Sequence, residues 1–83
     1  MKYNYNKLKG RIKEFFGTQE NFAESINLSA TSVNNKLNNR VPFTQEEIYD
    51  SIIKLHILPG EIQGIFFTKE VEKNSTELFN ETE

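Results

Sequence analysis

The chain has 83 residues, about half the length at which a second domain is expected, and 36% are apolar, with seven Phe and three Tyr among them. That suffices for one compact core, and so aromatic a chain with a net charge of only −2 is not a wholly disordered one. The absence of cysteine excludes a disulfide scaffold, a thiolate zinc site and a cysteine nucleophile, and no apolar run approaches the roughly 20 residues of a membrane span, so a soluble intracellular protein is expected.

In residues 5 to 16, Tyr5, Leu8, Ile12, Phe15 and Phe16 recur at three- and four-residue spacing, with Lys7, Lys9, Arg11, Lys13 and Glu14 on the other face. This is an amphipathic helix, ended by Gly17. Thr18 offers a side-chain oxygen to a second helix, Gln19 to Ile26, with Phe22, Ala23 and Ile26 on its buried stripe. Asn27 tolerates the left-handed conformation of a sharp exit, and Ser29 caps a third helix from Ala30 to Leu37 or Asn38. Only Val33 and Leu37 are large and apolar there, so Thr31, Asn34, Asn35 and Asn38 are expected to face solvent. Val41 before Pro42 ends that helix. Thr44 and Glu47 form a capping-box pattern for a fourth helix, whose stripe is Ile48, Ile52 and Leu55 and which runs to about His56.

Pro59-Gly60 breaks the chain, and Glu61 to Phe66 makes a short fifth helix burying Ile62, Ile65 and Phe66. Phe67 to Val71 is too short to decide between strand and coil. Glu72 to Glu83 is polar and acidic and reads as disordered, with Leu78-Phe79 as a two-residue anchor. The expectation is an all-α bundle of about five short helices over residues 1–66, followed by an extension, 67–83, that allows a short strand.

Charge is polarised along the chain: residues 1 to 40 sum to +4 and residues 41 to 83 to −6. A positive half could face a polyanion while the acidic half points away. The second and third helices, joined by a tight turn, have the proportions of a helix-turn-helix, in which one helix props the other so that its polar face projects. Ala23, Asn27 and Val33 supply the small crossing residue, the turn and the inner anchor.

The run Thr18 to Arg40, TQENFAESINLSATSVNNKLNNR, resembles the helix-turn-helix of the Cro and lambda-repressor-like phage regulators. Tyr5 to Ile12, Lys36-Leu37-Asn38 and Ile65-Phe66-Phe67 extend the resemblance to small Cro-like regulators from phages of Gram-positive bacteria, over roughly residues 3 to 73. Asn27 and Asn39 stand where that family usually has glycine, and Val33 and Leu37 are four apart where many relatives use three. The resemblance implies phosphate contacts for Gln19 and Asn38 and base contacts for Ala30, Thr31 and Asn35, with Asn34 beside them.

Side-chain chemistry agrees with that assignment. Asn can bond adenine N6 and N7 together, and Ala and Thr methyls suit the thymine methyl. Ser29, Lys36 and Arg40 are further phosphate candidates that set register without reading sequence. His56, the one histidine, sits at a helix end where a cation is favoured, so it reads as a cap rather than a ligand. No enzyme activity, cofactor, metal, membrane or small-molecule ligand is expected.

The function expected is a sequence-specific regulator of double-stranded DNA, a Cro-like repressor at phage operators in the lysis/lysogeny switch, working in the bacterial cytoplasm. It is expected to pair as a homodimer through the apolar stretch Ile62 to Val71, because one short recognition helix reads few base pairs. The alternative is a protein-binding antirepressor or modulator that uses the same fold.

Overall fold

Gly17 sits at φ 78°, where an L side chain would be strained, and it separates the first two helices of the computed structural model, which describes residues 2–70. The helices are α1 (Asn6–Phe16), α2 (Gln19–Ser25), α3 (Ala30–Leu37), α4 (Gln45–Lys54) and α5 (Ile62–Phe66). A 3-10 turn, Pro59–Glu61, leads into α5, so Pro59 opens a helical turn instead of only ending one. The expected acidic tail and its Leu78-Phe79 pair lie outside the described residues.

Three of the helices end in the same way, and sequence explains each ending. In α2, Asn27 N–H donates to the Glu24 carbonyl at 3.1 Å and Leu28 N–H to the Ala23 carbonyl at 2.9 Å. This paired closure needs a left-handed residue just past the helix, and Asn27 takes it at φ 61°. Asn39 (φ 63°) does the same after α3, with Arg40 N–H reaching the Asn35 carbonyl at 2.9 Å. His56 (φ 53°) does it after α4, with Ile57 N–H reaching the Ile52 carbonyl at 2.9 Å. Asn is the usual non-glycine choice for this conformation, so the two departures from family glycines leave the backbone path intact.

His56 therefore shapes the turn with its backbone, and its exposed ring lies against Phe15 with centroids 5.3 Å apart. The cation that serves the carbonyls at the end of α4 is Arg11, whose Nη1 donates to Leu55 O at 3.3 Å and His56 O at 3.4 Å. The expected capping role passes from the imidazole to a guanidinium 45 residues away in sequence.

One apolar cluster joins all five helices of the described residues: Leu8 and Ile12 of α1, Phe22 of α2, Val33 and Leu37 of α3, Leu55 at the end of α4 and Phe66 of α5 are at most 3% exposed. Phe15, expected in the core, is 44% exposed instead, because α1 turns its Tyr5, Leu8, Ile12 edge inward and leaves Phe15 on the rim. Ser51 was not expected inside, yet it is fully buried and its hydroxyl donates to the Glu47 carbonyl one turn back at 2.7 Å.

The segment after α5 folds back along the N-terminus. Asn4 N–H donates to Thr68 O at 2.6 Å and Glu70 N–H to Lys2 O at 2.8 Å, which leaves a single antiparallel bridge, Tyr3 with Lys69. This resolves the choice left open for Phe67 onward: among the described residues there is a bridge and no strand. On its other side Tyr3 is held by Asn39, whose Oδ1 accepts from Tyr3 N–H and whose Nδ2 donates to Tyr3 O, both at 2.9 Å. Asn39 therefore closes α3 with its backbone and fixes the N-terminal segment with its side chain.

Candidate recognition surface on the second and third helices

The caps that start α2 and α3 set the angle between them. Thr18 Oγ1 accepts from Asn21 N–H at 3.1 Å, and Ser29 Oγ accepts from Ser32 N–H at 3.1 Å. Asn21 reinforces the first cap by donating from Nδ2 to the Phe16 carbonyl at 3.0 Å, which ties α2 to the end of α1. With Ala23 at 1% and Val33 at 0% exposure, the two helices cross on a small residue and an anchor, and the outer side of α3 is left facing away from the core.

The predicted contact residues do not all share one face. Gln19, Ala30, Thr31 and Asn34 line one shallow, open cleft between the starts of α2 and α3, together with Thr18 and Glu20. Asn35 is half-buried on the next edge, where its Oδ1 accepts from Arg40 Nη1 at 3.3 Å. Asn38 is exposed at the far end of α3, its Nδ2 donating to the Asn34 carbonyl at 2.8 Å. Ser29 is exposed, but its hydroxyl is occupied as the cap of α3.

Lys36 departs from expectation. It is only 7% exposed, and its ammonium meets Glu47 Oε1 at 3.0 Å and Pro42 O at 3.2 Å. A charge so enclosed and so occupied does not stand on the outer side of α3, and Lys36 is removed from the phosphate candidates. Glu47 is the N3 residue of the α4 capping box, accepting Thr44 N–H at 3.0 Å while its own N–H donates to Thr44 Oγ1 at 3.1 Å. Burial pushes the Glu47 carboxyl up, but the Thr44 N–H and the Lys36 ammonium outweigh it and hold the group below its usual value. One carboxylate thus caps α4 and fastens α3 to it.

The same economy operates at Arg11, which meets Glu61 at 2.7 Å. The guanidinium holds the Glu61 carboxyl below its ordinary range, with help from the Leu58 N–H, and the Glu61 hydrogen bond raises Arg11 in turn. Two of the seven bases in the positive half of the sequence are therefore paired with acids from the negative half. Along residues 18–44 this leaves Arg40 as the one exposed cation, with Glu20 and Glu24 exposed on α2. Charge segregates along the chain far more than it does around the candidate surface on α2 and α3. Lys7, Lys9 and Lys13 are exposed on α1.

Among the described residues no group of His, Cys, Asp and Glu has the disposition of a metal site, and no helix is long and apolar enough to cross a membrane.

The architecture is that of a small all-α protein built around a helix-turn-helix pair. The chain belongs to the DUF739 family, described as a protein of unknown function, whose profile matches residues 1–69. Among solved structures it is similar to the solution structure of the modulator of repression (MOR) of the temperate bacteriophage TP901-1 from Lactococcus lactis, with 39% identity and a TM-score of 0.71. That alignment covers 87% of this chain and 97% of the other. No curated protein matches.

Proposed function

We propose that this chain is a phage-type regulator that modulates repression by binding a repressor protein. The observation that carries this reading is the 39% identity, over 97% of its length, to a protein named for modulating repression. The chemistry of the outer side of α3 supports contact with protein over contact with a polyanion. DNA binders draw affinity from several Lys and Arg on phosphates, and here Lys36 is enclosed and Arg40 stands alone beside uncharged amides.

The second reading is a Cro-like operator-binding repressor, favoured by the convergence of Gln19, Ala30, Thr31 and Asn34 on one open face of a capped helix-turn-helix. In it, Ala30, Thr31, Asn34 and Asn35 meet base edges, Gln19, Ser29, Asn38 and Arg40 meet phosphates, and the chain works as a homodimer. Both readings are non-catalytic, need no cofactor, and belong in the cytoplasm of a bacterial host.

A mobility-shift assay separates them, using a phage repressor and the operator duplexes that repressor binds. A modulator alters the repressor's shift and produces none alone, and it co-elutes with the repressor in the absence of DNA. An operator-binding repressor shifts one of those duplexes by itself, far more tightly than scrambled DNA. If the chain neither touches the repressor nor alters its shift, the modulator reading is lost.

A further inference from the structure

An aromatic cleft opens where the N-terminal segment meets the end of α5. Tyr3, Tyr5, Val41, Phe43, Phe66 and Phe67 line a hollow of about 380 Å³. Edge-to-face contacts set its walls: Tyr5 meets Phe43 with centroids 5.4 Å apart, Phe43 meets Phe66 at 6.0 Å and Tyr3 meets Phe67 at 6.2 Å. At the rim, Val41 and Phe67 are 42% and 39% exposed. The stretch first expected to pair two copies leaves one residue for this rim. Ile65 and Phe66 are consumed by the domain's own core, and of the large apolar residues in Ile62 to Glu70 only Phe67 is exposed.

Bases gather around the cleft. Lys2 is the chain neighbour of Tyr3, Lys69 is its partner in the antiparallel bridge, and Arg40 stands between Asn39 and Val41 of the lining. All three are exposed, and none belongs to an ion pair among the described residues. The acid on the same segment is Glu70. The acids of α4 are turned elsewhere: Glu46 and Asp50 border a different depression with Gln45 and Tyr49, and Glu47 is committed to Lys36.

The chain leaves the described residues beside this rim. Glu70, whose N–H donates to Lys2 O, is three residues past Phe67, and residues 71–83, VEKNSTELFNETE, lie beyond the 1–69 that the family profile matches. They carry four Glu against Lys73, and their large apolar pair is Leu78-Phe79, with Glu77 before it and Glu81 two residues after. Eight residues from Glu70 to Leu78 span up to about 27 Å, and Asn74-Ser75 supplies turn formers for a return to Phe67.

We propose that Leu78-Phe79, from this chain's own C-terminal segment, seats in the aromatic cleft, with Glu77 and Glu81 against Lys2, Lys69 and Arg40. A short tether holds the pair at a millimolar effective concentration, so a contact too weak to form between separate molecules is populated within one. Seated there, the carboxylates offset Arg40, the one exposed cation along residues 18–44, and lower the attraction of the end of α3 for a polyanion.

The chain lacks cysteine, so Thr82→Cys in the full 83-residue protein carries one nitroxide label, three residues from Phe79. In heteronuclear NMR spectra of isotope-labelled protein, the amide signals of Val41, Phe43 and Phe67 should fall about twofold or more below those of Gln19 and Thr31, because the tether keeps the pair seated most of the time. Leu78→Ser combined with Phe79→Ser should abolish that difference. About 1 M sodium chloride, where the screening length is about 3 Å, should weaken it. Uniform broadening, no broadening, or selective broadening that survives the serine pair overturns the assignment. Broadening untouched by salt overturns the part given to Glu77 and Glu81. With the isotope and the nitroxide on separate molecules, these amides should keep their intensity; a loss there gives the cleft to a second copy and overturns the intramolecular seat.

Discussion

Glu47→Gln tests whether α3 is held from inside the domain. Glu47 Oε1 receives the Lys36 ammonium and the Thr44 N–H, each at 3.0 Å, and the two charged side chains are 8% and 18% exposed. Gln keeps an acceptor oxygen of the same shape but removes the negative charge facing a desolvated ammonium whose other partner is the Pro42 carbonyl. Breaking a fully buried pair costs about 3–5 kcal/mol. The acceptor that Gln retains and the partial exposure of Glu47 lower the expected cost to about 2 kcal/mol, which at this chain length depresses Tm by about 8–16 °C. In a Lys36→Met background no ammonium remains to be orphaned, and the same change should cost less than about 1 kcal/mol, through a weaker cap alone.

Urea unfolding followed by far-ultraviolet ellipticity, on the wild type, both single variants and the double variant, yields the coupling energy. Equal costs of Glu47→Gln in both backgrounds would refute the reasoning and make the pair incidental. Acid supplies an independent check. The folded-state pKa of Glu47 lies below its ordinary value of 4.5, so the carboxylate's contribution is complete above that value and is lost as pH falls through the lowered one. The stability gap between wild type and Glu47→Gln should hold constant near neutral pH and narrow below pH 4.5.

Asn39→Gly should cost about 1 kcal/mol, because relief of the left-handed backbone offsets part of the two lost bonds to Tyr3, whereas Asn39→Ala loses the same two bonds without that relief and should cost about 2–3 kcal/mol. Thermal melts in which Asn39→Gly lost no stability would show that the clamp is not what holds the N-terminal segment, and a ranking of Ala at or above Gly would refute the backbone part of the reasoning. Asn27 makes no side-chain hydrogen bond among the described residues, so Asn27→Gly should raise stability by up to about 1 kcal/mol, read as a higher urea midpoint. On any duplex the chain binds by itself, Asn35→Ala should cost about 1–3 kcal/mol and relax preference at one symmetric pair of positions, while Arg40→Ala should weaken all duplexes alike and flatten the salt slope. Because Arg40 donates to Asn35, the double variant should depart from additivity in quantitative shift titrations.

The local punctuation of this chain is written in the sequence. Thr18, Ser29 and Thr44 announce helix starts through a short-range contest between side-chain oxygens and free N–H groups, and Gly17 and Asn27 announce exits through backbone sterics. Because those forces act within three or four residues, all five helices and the outward residues of the α2–α3 face were legible before any tertiary structure. The match between Gln19 and the start of α3 follows from two caps and a turn of fixed geometry.

What the sequence could not reveal is which charges are spent. Lys36 reads as an outward base because its immediate neighbours are polar, and only the approach of α4 turns it against Glu47. Arg11 reads as one of a solvated row on α1 until Glu61 and the end of α4 arrive beside it, and His56 gives up its expected capping role for the same reason. Ser51 inside, Phe15 outside and the Asn39 clamp on Tyr3 are likewise set by partners many residues away in sequence. Helical periodicity fixes which face a residue occupies relative to its own helix, but the depth of burial and the partner of each charge depend on where other helices dock. Only the tertiary structure therefore decided that a chain with a basic half leaves Arg40 as the one exposed cation along residues 18–44.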